Sequence, residues 1–212
     1  MLKINEIYKS IQGESSFTGL PCVFIRFTGC NLRCSYCDTE YAFYEGRGMT
    51  VEDVIREVDV FAIPLVEITG GEPLMQKEVY PLMDALLGKG YQVMLETGGS
   101  LPLKDVPDPV IKIVDLKCPG SGEESKNDYE NLQYLSRQDE VKFVIFDRRD
   151  YEWSRKILKD HSIDKTAQVL FSPVYDKLHL KDLAQWILED NLPVRLQTQL
   201  HKVIWSKDAI GV

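Results

Sequence analysis

Three of the five cysteines fall within eight residues, Cys30-Asn-Leu-Arg-Cys34-Ser-Tyr-Cys37. A C-x3-C-x2-C run puts three thiolates on one loop, where they can wrap one metal centre. Zinc sites built on four cysteines usually come as two C-x2-C pairs, and there is no second pair here. A four-cysteine iron–sulfur cluster would also need a fourth ligand. Three cysteines holding a [4Fe–4S] cluster leave one iron without a protein ligand, open to a substrate or cofactor. The alternatives are three cysteines packed in a core, or a zinc site that borrows a distant His or Cys118. An odd cysteine count, crowded in this way, is a poor disulfide framework and suggests reduced thiols in a cytoplasm.

The elements that must position this loop follow from the pattern of the chain. Short apolar runs alternate with amphipathic stretches. Strands are expected at 22–27, 65–69, 91–96, 110–116, 140–146, 167–171 and 194–197. Helices are expected from Thr50 onward, and at 77–87, 128–136, 150–159 and 180–189. Thr50 and Asp53 have the form of a capping box, with Asp in place of Glu. Strand and helix alternating some six times means parallel βαβ units. An open doubly wound sheet and a complete or partial barrel both satisfy this pattern; a full eight-fold barrel typically needs ~250 residues, so a chain of 212 favours something smaller or incomplete. Polar signatures sit where the strands end: Thr28-Gly29-Cys30, Thr69-Gly70-Gly71-Glu72, Glu96-Thr97, Asp115-Leu116-Lys117, Ser172-Pro173 and Gln197-Thr198. Ligands of α/β folds bind at the carboxyl ends of parallel strands, so the chemistry should converge on one rim.

Composition narrows the class. Hydrophobic residues make up 44%, enough to build a core, which excludes global disorder. The net charge of −8 argues against a protein that grips nucleic acid by its backbone, while leaving room for a local anion pocket. The longest apolar runs are strand-sized, and the N-terminus has no signal pattern, so the expectation is a single cytoplasmic domain, residues 1–212, without a membrane span.

The cysteine run, with Tyr36 before its third cysteine, resembles the radical S-adenosylmethionine (SAM) superfamily. Thr69-Gly70-Gly71-Glu72-Pro73 is similar to that superfamily's GGEP motif, which meets the SAM amino group. The resemblance implies an α/β fold of the partial (β/α)6 barrel type. It implies a [4Fe–4S] cluster on Cys30, Cys34 and Cys37, whose open iron is chelated by the amino and carboxylate groups of SAM. An electron from the reduced cluster then cleaves SAM to methionine and a 5′-deoxyadenosyl radical. Gly70, Gly71, Glu72, Glu96, Lys117 and Ser172 are the expected SAM-binding positions.

Further segments are similar to one family within that superfamily, the 7-carboxy-7-deazaguanine synthases. They are Tyr8-Lys-Ser-Ile-Gln12-Gly13-Glu14-Ser15, Gly19 through Cys30, Cys37-Asp38-Thr39 and Gln199-Leu-His201-Lys202. This resemblance runs along essentially the whole chain and is least distinctive over about 100–165. It implies conversion of 6-carboxy-5,6,7,8-tetrahydropterin to 7-carboxy-7-deazaguanine, with ring contraction and loss of ammonia, on the route to queuosine. It also implies Mg²⁺ at Thr39, a reductant such as flavodoxin or ferredoxin, and a homodimer. Gln12, Glu14, Arg26, Thr69, His201 and the terminal carboxylate of Val212 are the expected substrate contacts. The residue types suit that substrate: a guanidinium fork at Arg26 for a carboxylate, a carboxylate at Glu14 for a guanine-like edge, and a hydroxyl as a hard-oxygen ligand. Lys142 and Pro173 are weaker candidates on the same rim, and Cys22 and Cys118 are expected to stay unliganded.

Two other readings share parts of the pattern. A glycyl-radical activating enzyme has the same cysteine spacing and small size, but acts on a large protein. A structural zinc-binding module would use the cysteines without any chemistry.

Overall fold

Along β2 (Pro21–Phe27) the side chains alternate between two environments. Val23, Ile25 and Phe27 point into the larger apolar core, while Cys22 and Phe24 belong to a second, smaller cluster on the other face. The same period of two runs through β4 (Leu65–Gly70), β5 (Gln92–Thr97) and β6 (Ile111–Asp115). Val66, Ile68, Val93, Leu95 and Val114 face the larger core, and Leu65, Met94, Ile111 and Ile113 face the smaller one. The computed structural model from which this is read describes residues 1–207 and 209–212.

The remaining strands are β1 (Leu2–Ile11), β3 (Arg47–Met49), β7 (Glu140–Ile145), β8 (Gln168–Pro173) and β9 (Arg195–Leu196). All nine form one sheet in the order β3-β1-β2-β4-β5-β6-β7-β8-β9. From β2 to β9 every neighbouring pair is parallel, whereas β1 pairs antiparallel with both β2 and β3. The sheet stays open, with β3 and β9 as its edges. It nevertheless curls: Arg26 of β2 and Ser172 of β8 line the same cavity. A row of parallel strands curling around a cavity without closing is the partial barrel that the family resemblance implies.

The helices are α1 (Val51–Phe61), α2 (Val79–Gly88), α3 (Arg148–His161), α4 (Leu180–Glu189) and α5 (Leu200–Ile204). The capping box is present. Thr50 Oγ1 accepts from the Asp53 amide, and the Asp53 carboxylate accepts from the Thr50 amide, both at 3.1 Å. Such a cap contributes about 1 kcal/mol.

Three local expectations are corrected. The sequence pattern suggested no strand at 2–11, because its alternation breaks at Asn5. There a bulge shifts the register between Ile4 and Glu6. Leu2 and Ile4 face the larger core, and beyond the bulge Glu6 and Tyr8 face the cavity side beside Arg26. The helix expected at 128–136 is a 3-10 turn over Tyr129–Tyr134, started by Asp128, which accepts from the Glu130 amide. The last strand shrinks to Arg195–Leu196, and a short helix, α5, follows it. Among the described residues, no helix is long and apolar enough to cross a membrane.

Candidate active site

On the cavity side, the strands change character along their length. Phe24 is followed by Arg26, Leu65 by Glu67 and Thr69, Met94 by Glu96, and Ile113 by Asp115. The apolar members close the base of the curl, and the polar members line a cavity of about 660 Å³ above it. That volume suits a cofactor and a small substrate together. The cysteine loop, the 12–14 turn, Asp38, Thr39 and the C-terminal segment complete the wall.

Cys30, Cys34 and Cys37 all border this cavity as free, half-buried thiols. Burial pushes the Cys34 thiol up to about 11, with the Lys117 ammonium opposing it. The chemistry of the donor set, three free thiols on one loop facing a cavity, fits an iron–sulfur cluster. Among the described residues, no three His, Cys, Asp or Glu side chains are gathered as the ligands of one ion would be. Cys118 and Cys22 are fully buried elsewhere, Cys118 with its sulfur 3.4 Å from Ser154 Oγ.

The Gly-Gly-Glu segment acts differently from expectation. A Cβ on Gly70 (φ +151°) would stand 2.5 Å from the Phe27 amide nitrogen and carbonyl oxygen. A Cβ on Gly71 would collide with the Gly29 carbonyl and approach Cys30 Cβ at 2.9 Å. These glycines let the turn after β4 press against the start of the cysteine loop, and both also border the cavity. Glu72 leaves the cavity altogether. It is fully buried, and its carboxylate accepts from Thr97 Oγ1 (2.8 Å), the Gly98 amide (2.8 Å) and the Leu74 amide (3.1 Å). Glu72, an expected SAM contact, thus directs its carboxylate into bracing two loops. The other expected SAM positions, Glu96, Lys117 and Ser172, line the cavity.

The centre of the site is Lys142, on β7. Its ammonium lies 3.0 Å from Glu14 Oε2, pairs more closely with Glu96, and is 3.8 Å from Asp115 Oδ2. Lys117 Nζ lies 2.7 Å from the same Asp115 oxygen, while Asp115 Oδ1 is buried without a partner. Burial alone would raise the Glu14 carboxyl, and the Lys142 charge overrides it and holds it low. Burial would lower the Lys142 ammonium, and Glu14 and Glu96 hold it high instead.

The expected substrate contacts fall into two groups. Glu14, Thr69, His201 and Val212 border the cavity, with Thr69 Oγ1 3.4 Å from Glu96 Oε2. Gln12 and Arg26 border it too, but their polar groups are engaged. The Gln12 amide donates to Glu67, and its oxygen accepts from the Glu14 amide at 2.7 Å, so Gln12 braces the turn that carries Glu14. Arg26 Nε donates to Glu6 at 2.7 Å, its NH2 group donates to Tyr8 Oη at 2.9 Å, and its guanidinium lies over the Tyr41 ring. Thr39 Oγ1 donates to Asp38 Oδ1 at 3.0 Å and borders the cavity.

The C-terminal segment straps this side. The Leu200 amide donates to the Gly13 carbonyl at 2.9 Å, and Gln199 Nε2 donates to Glu14 Oε1 at 2.9 Å. Lys202 pairs with Asp38 at 2.7 Å. A Cβ on Gly13 would strike the His201 ring, so the strap packs directly on the turn.

Sequence reasoning missed Glu67, Glu6, Tyr41 and the Asp38–Lys202 pair. Glu67 carried a usable signal: a carboxylate in the middle of an apolar strand, Leu65-Val-Glu-Ile-Thr69, on the same face as Thr69.

Comparison with known proteins agrees with this arrangement. Residues 24–118 match the Radical SAM superfamily. The chain is 49% identical to the 7-carboxy-7-deazaguanine synthase of Koribacter versatilis, over the full length of both proteins. It is 44% identical to the Chlorobaculum tepidum protein of that name, over all of this chain and 97% of the other. In structure it is similar to QueE from Escherichia coli, with a TM-score of 0.79 at 24% identity over 94% of each chain.

Proposed function

The chain belongs to the 7-carboxy-7-deazaguanine synthase family of the radical SAM superfamily, and on that premise we infer that it converts 6-carboxy-5,6,7,8-tetrahydropterin to 7-carboxy-7-deazaguanine with loss of ammonia. The observation that carries this reading is one cavity lined both by the three cluster cysteines and by the Glu14–Lys142–Glu96 array. Relatives matched over their full length displace the activating-enzyme and zinc-module readings.

Cys30, Cys34 and Cys37 would hold the [4Fe–4S] cluster. The cluster with SAM supplies, when bound, the radical that takes a hydrogen atom from the substrate. The protein's own residues orient the partners and exclude water. Glu14 stays ionised beside Lys142 and accepts from the N–H edge of the pterin. Arg26 retains unshared N–H donors for the substrate carboxylate, although Glu6 holds its Nε. Thr39, next to Asp38, offers a hydroxyl to Mg²⁺, which would orient that carboxylate. His201 and the C-terminal carboxylate close the site from the strap. A flavodoxin- or ferredoxin-type reductant, a homodimer and a cytoplasmic location complete the proposal.

The test is anaerobic incubation of cluster-loaded protein with dithionite, SAM, Mg²⁺ and the carboxypterin. Deazaguanine absorbance is the expected product signal. A fully loaded cluster with no product removes the reading.

A further inference from the structure

On one part of the cavity wall, Glu14, Glu67, Glu96 and Asp115 surround the ammonium groups of Lys117 and Lys142. Asp115 takes Lys117, and Lys142 takes Glu14 and Glu96. That pairing leaves Glu67, on β4, with no cation at ion-pair distance among the described residues. Glu67 is 2% exposed and accepts a hydrogen bond from the Gln12 amide. The groups facing it are Tyr8 of β1, Cys22 of β2, Glu96 of β5, Lys142 of β7, and Gln12 and Glu14 of the turn. Burial holds Tyr8 up at about 12 and pushes Cys22 up as well, so neither brings a negative charge to Glu67 near neutrality. An unpaired buried carboxylate is costly, and the remedy is protonation. Burial, followed by the charges of Glu96 and Glu14, raises the Glu67 carboxyl well above the ordinary range. Glu67 is paired with Met94 on the adjacent strand, so Glu96, two residues on, is its diagonal neighbour on the cavity face. The site thus sets a buried carboxyl that favours its protonated form beside Glu96, whose side chain is 26% exposed to the cavity.

The reaction needs such a group, since an amine departs and a ring carbon sheds a proton. We propose that Glu67 stores the proton for ammonia loss and passes it through Glu96 to the departing amine. The C–N bond breaks with its electron pair on nitrogen. Glu67 hands its proton to Glu96 as Glu96 delivers a proton to that nitrogen, which leaves as ammonia with both carboxyls ionised. The proton lost from the ring carbon as the product becomes aromatic returns to the pair, so the pair ends as it began and no oxidant or reductant is used. Glu67 acts through Glu96 and is a positioning residue. This inference rests on the functional reading above.

The test compares cluster-loaded wild type, Glu67→Gln and Glu67→Asp. Infrared difference spectra of the resting enzymes should show a protonated-carboxyl stretch near neutral pH in wild type that is missing in Glu67→Gln. With substrate deuterated at C6, label transfer into SAM should stay within about threefold of wild type in Glu67→Gln, while ammonia and deazaguanine release falls about 100-fold or more. Wild-type release should decline on the alkaline side as Glu67 loses its proton, and Glu67→Gln should lack that limb. Glu67→Asp should regain at least about a tenth of wild-type release. Absence of the infrared signal overturns the proposal. So does product release by Glu67→Gln at the wild-type rate and pH profile, or loss of label transfer in step with product. Wild type that keeps the infrared signal but forms no deazaguanine removes the functional reading, and this proposal with it.

Discussion

Lys142 Nζ stands 3.0 Å from Glu14 Oε2 across 128 positions of sequence. The contact joins the seventh strand to the turn after the first, and the same ammonium holds Glu96. Removing one partner of a buried ion pair leaves the others uncompensated. Lys142→Met is therefore expected to cost about 3–5 kcal/mol, read from the denaturant midpoint. An unchanged midpoint would mean that these carboxylates are protonated or hydrated in the native state.

Glu67 predicts the sign of a pH effect. Its folded-state carboxyl titrates well above the ordinary value, so it binds its proton more tightly folded than unfolded. Its contribution is fully present below the unfolded value of about 4.3 and is lost as pH rises toward the folded value. Glu67→Gln should therefore gain stability relative to wild type at pH ~8 and gain little at pH ~4. Thermal melts at the two pH values check this, and equal effects at both would contradict it.

The turn after β4 is a packing device. Gly71→Ala drives a methyl group into the Gly29 carbonyl and toward Cys30 Cβ. The expected cost is about 1–3 kcal/mol, together with a lower iron and sulfide content after reconstitution. Full cluster loading with unchanged stability would show that the cysteine loop yields freely.

Glu72 separates bracing from ligand contact. Glu72→Ala leaves Thr97, the Gly98 amide and the Leu74 amide without their acceptor. Each unsatisfied buried group costs about 1–3 kcal/mol, so urea stability should fall clearly. Glu72→Gln, which keeps an acceptor oxygen, should recover part of it. Normal stability of Glu72→Ala with abolished SAM binding would restore Glu72 to a direct contact.

The cysteines divide by position. Iron and sulfide analysis of Cys34→Ser should show loss of cluster. Cys118→Ala, which removes a thiol packed against Ser154, should keep the cluster and lose only packing. Loss of iron in Cys118→Ala would place that sulfur among the ligands.

Much of the molecule was legible in residue order, because its signals are local. The spacing of Cys30, Cys34 and Cys37, the Thr50–Asp53 cap, the apolar strands and the polar residues at their carboxyl ends need only neighbouring positions to be read. β1 was hidden because a bulge at Asn5 interrupts the alternation, and alternation is what reveals a strand. The 3-10 turn at Tyr129–Tyr134 has helix-like composition, but the chain there does not carry a full helix.

The sequence by itself determined the loop that can hold a cluster, the alternation of strands and helices that makes parallel βαβ units, and the rim on which the chemistry converges. Only the tertiary structure decided which polar groups remain free on that rim. Gln12 and Glu72 spend their hydrogen-bonding capacity inside the protein, Arg26 shares its own with Glu6 and Tyr8, and Glu67 is left with no cation at ion-pair distance among the described residues. The reason is physical. A side chain's type is local, but its protonation and its spare hydrogen bonds depend on whatever the curl of the sheet brings within about 3 Å of it, and those partners lie tens to more than a hundred residues away.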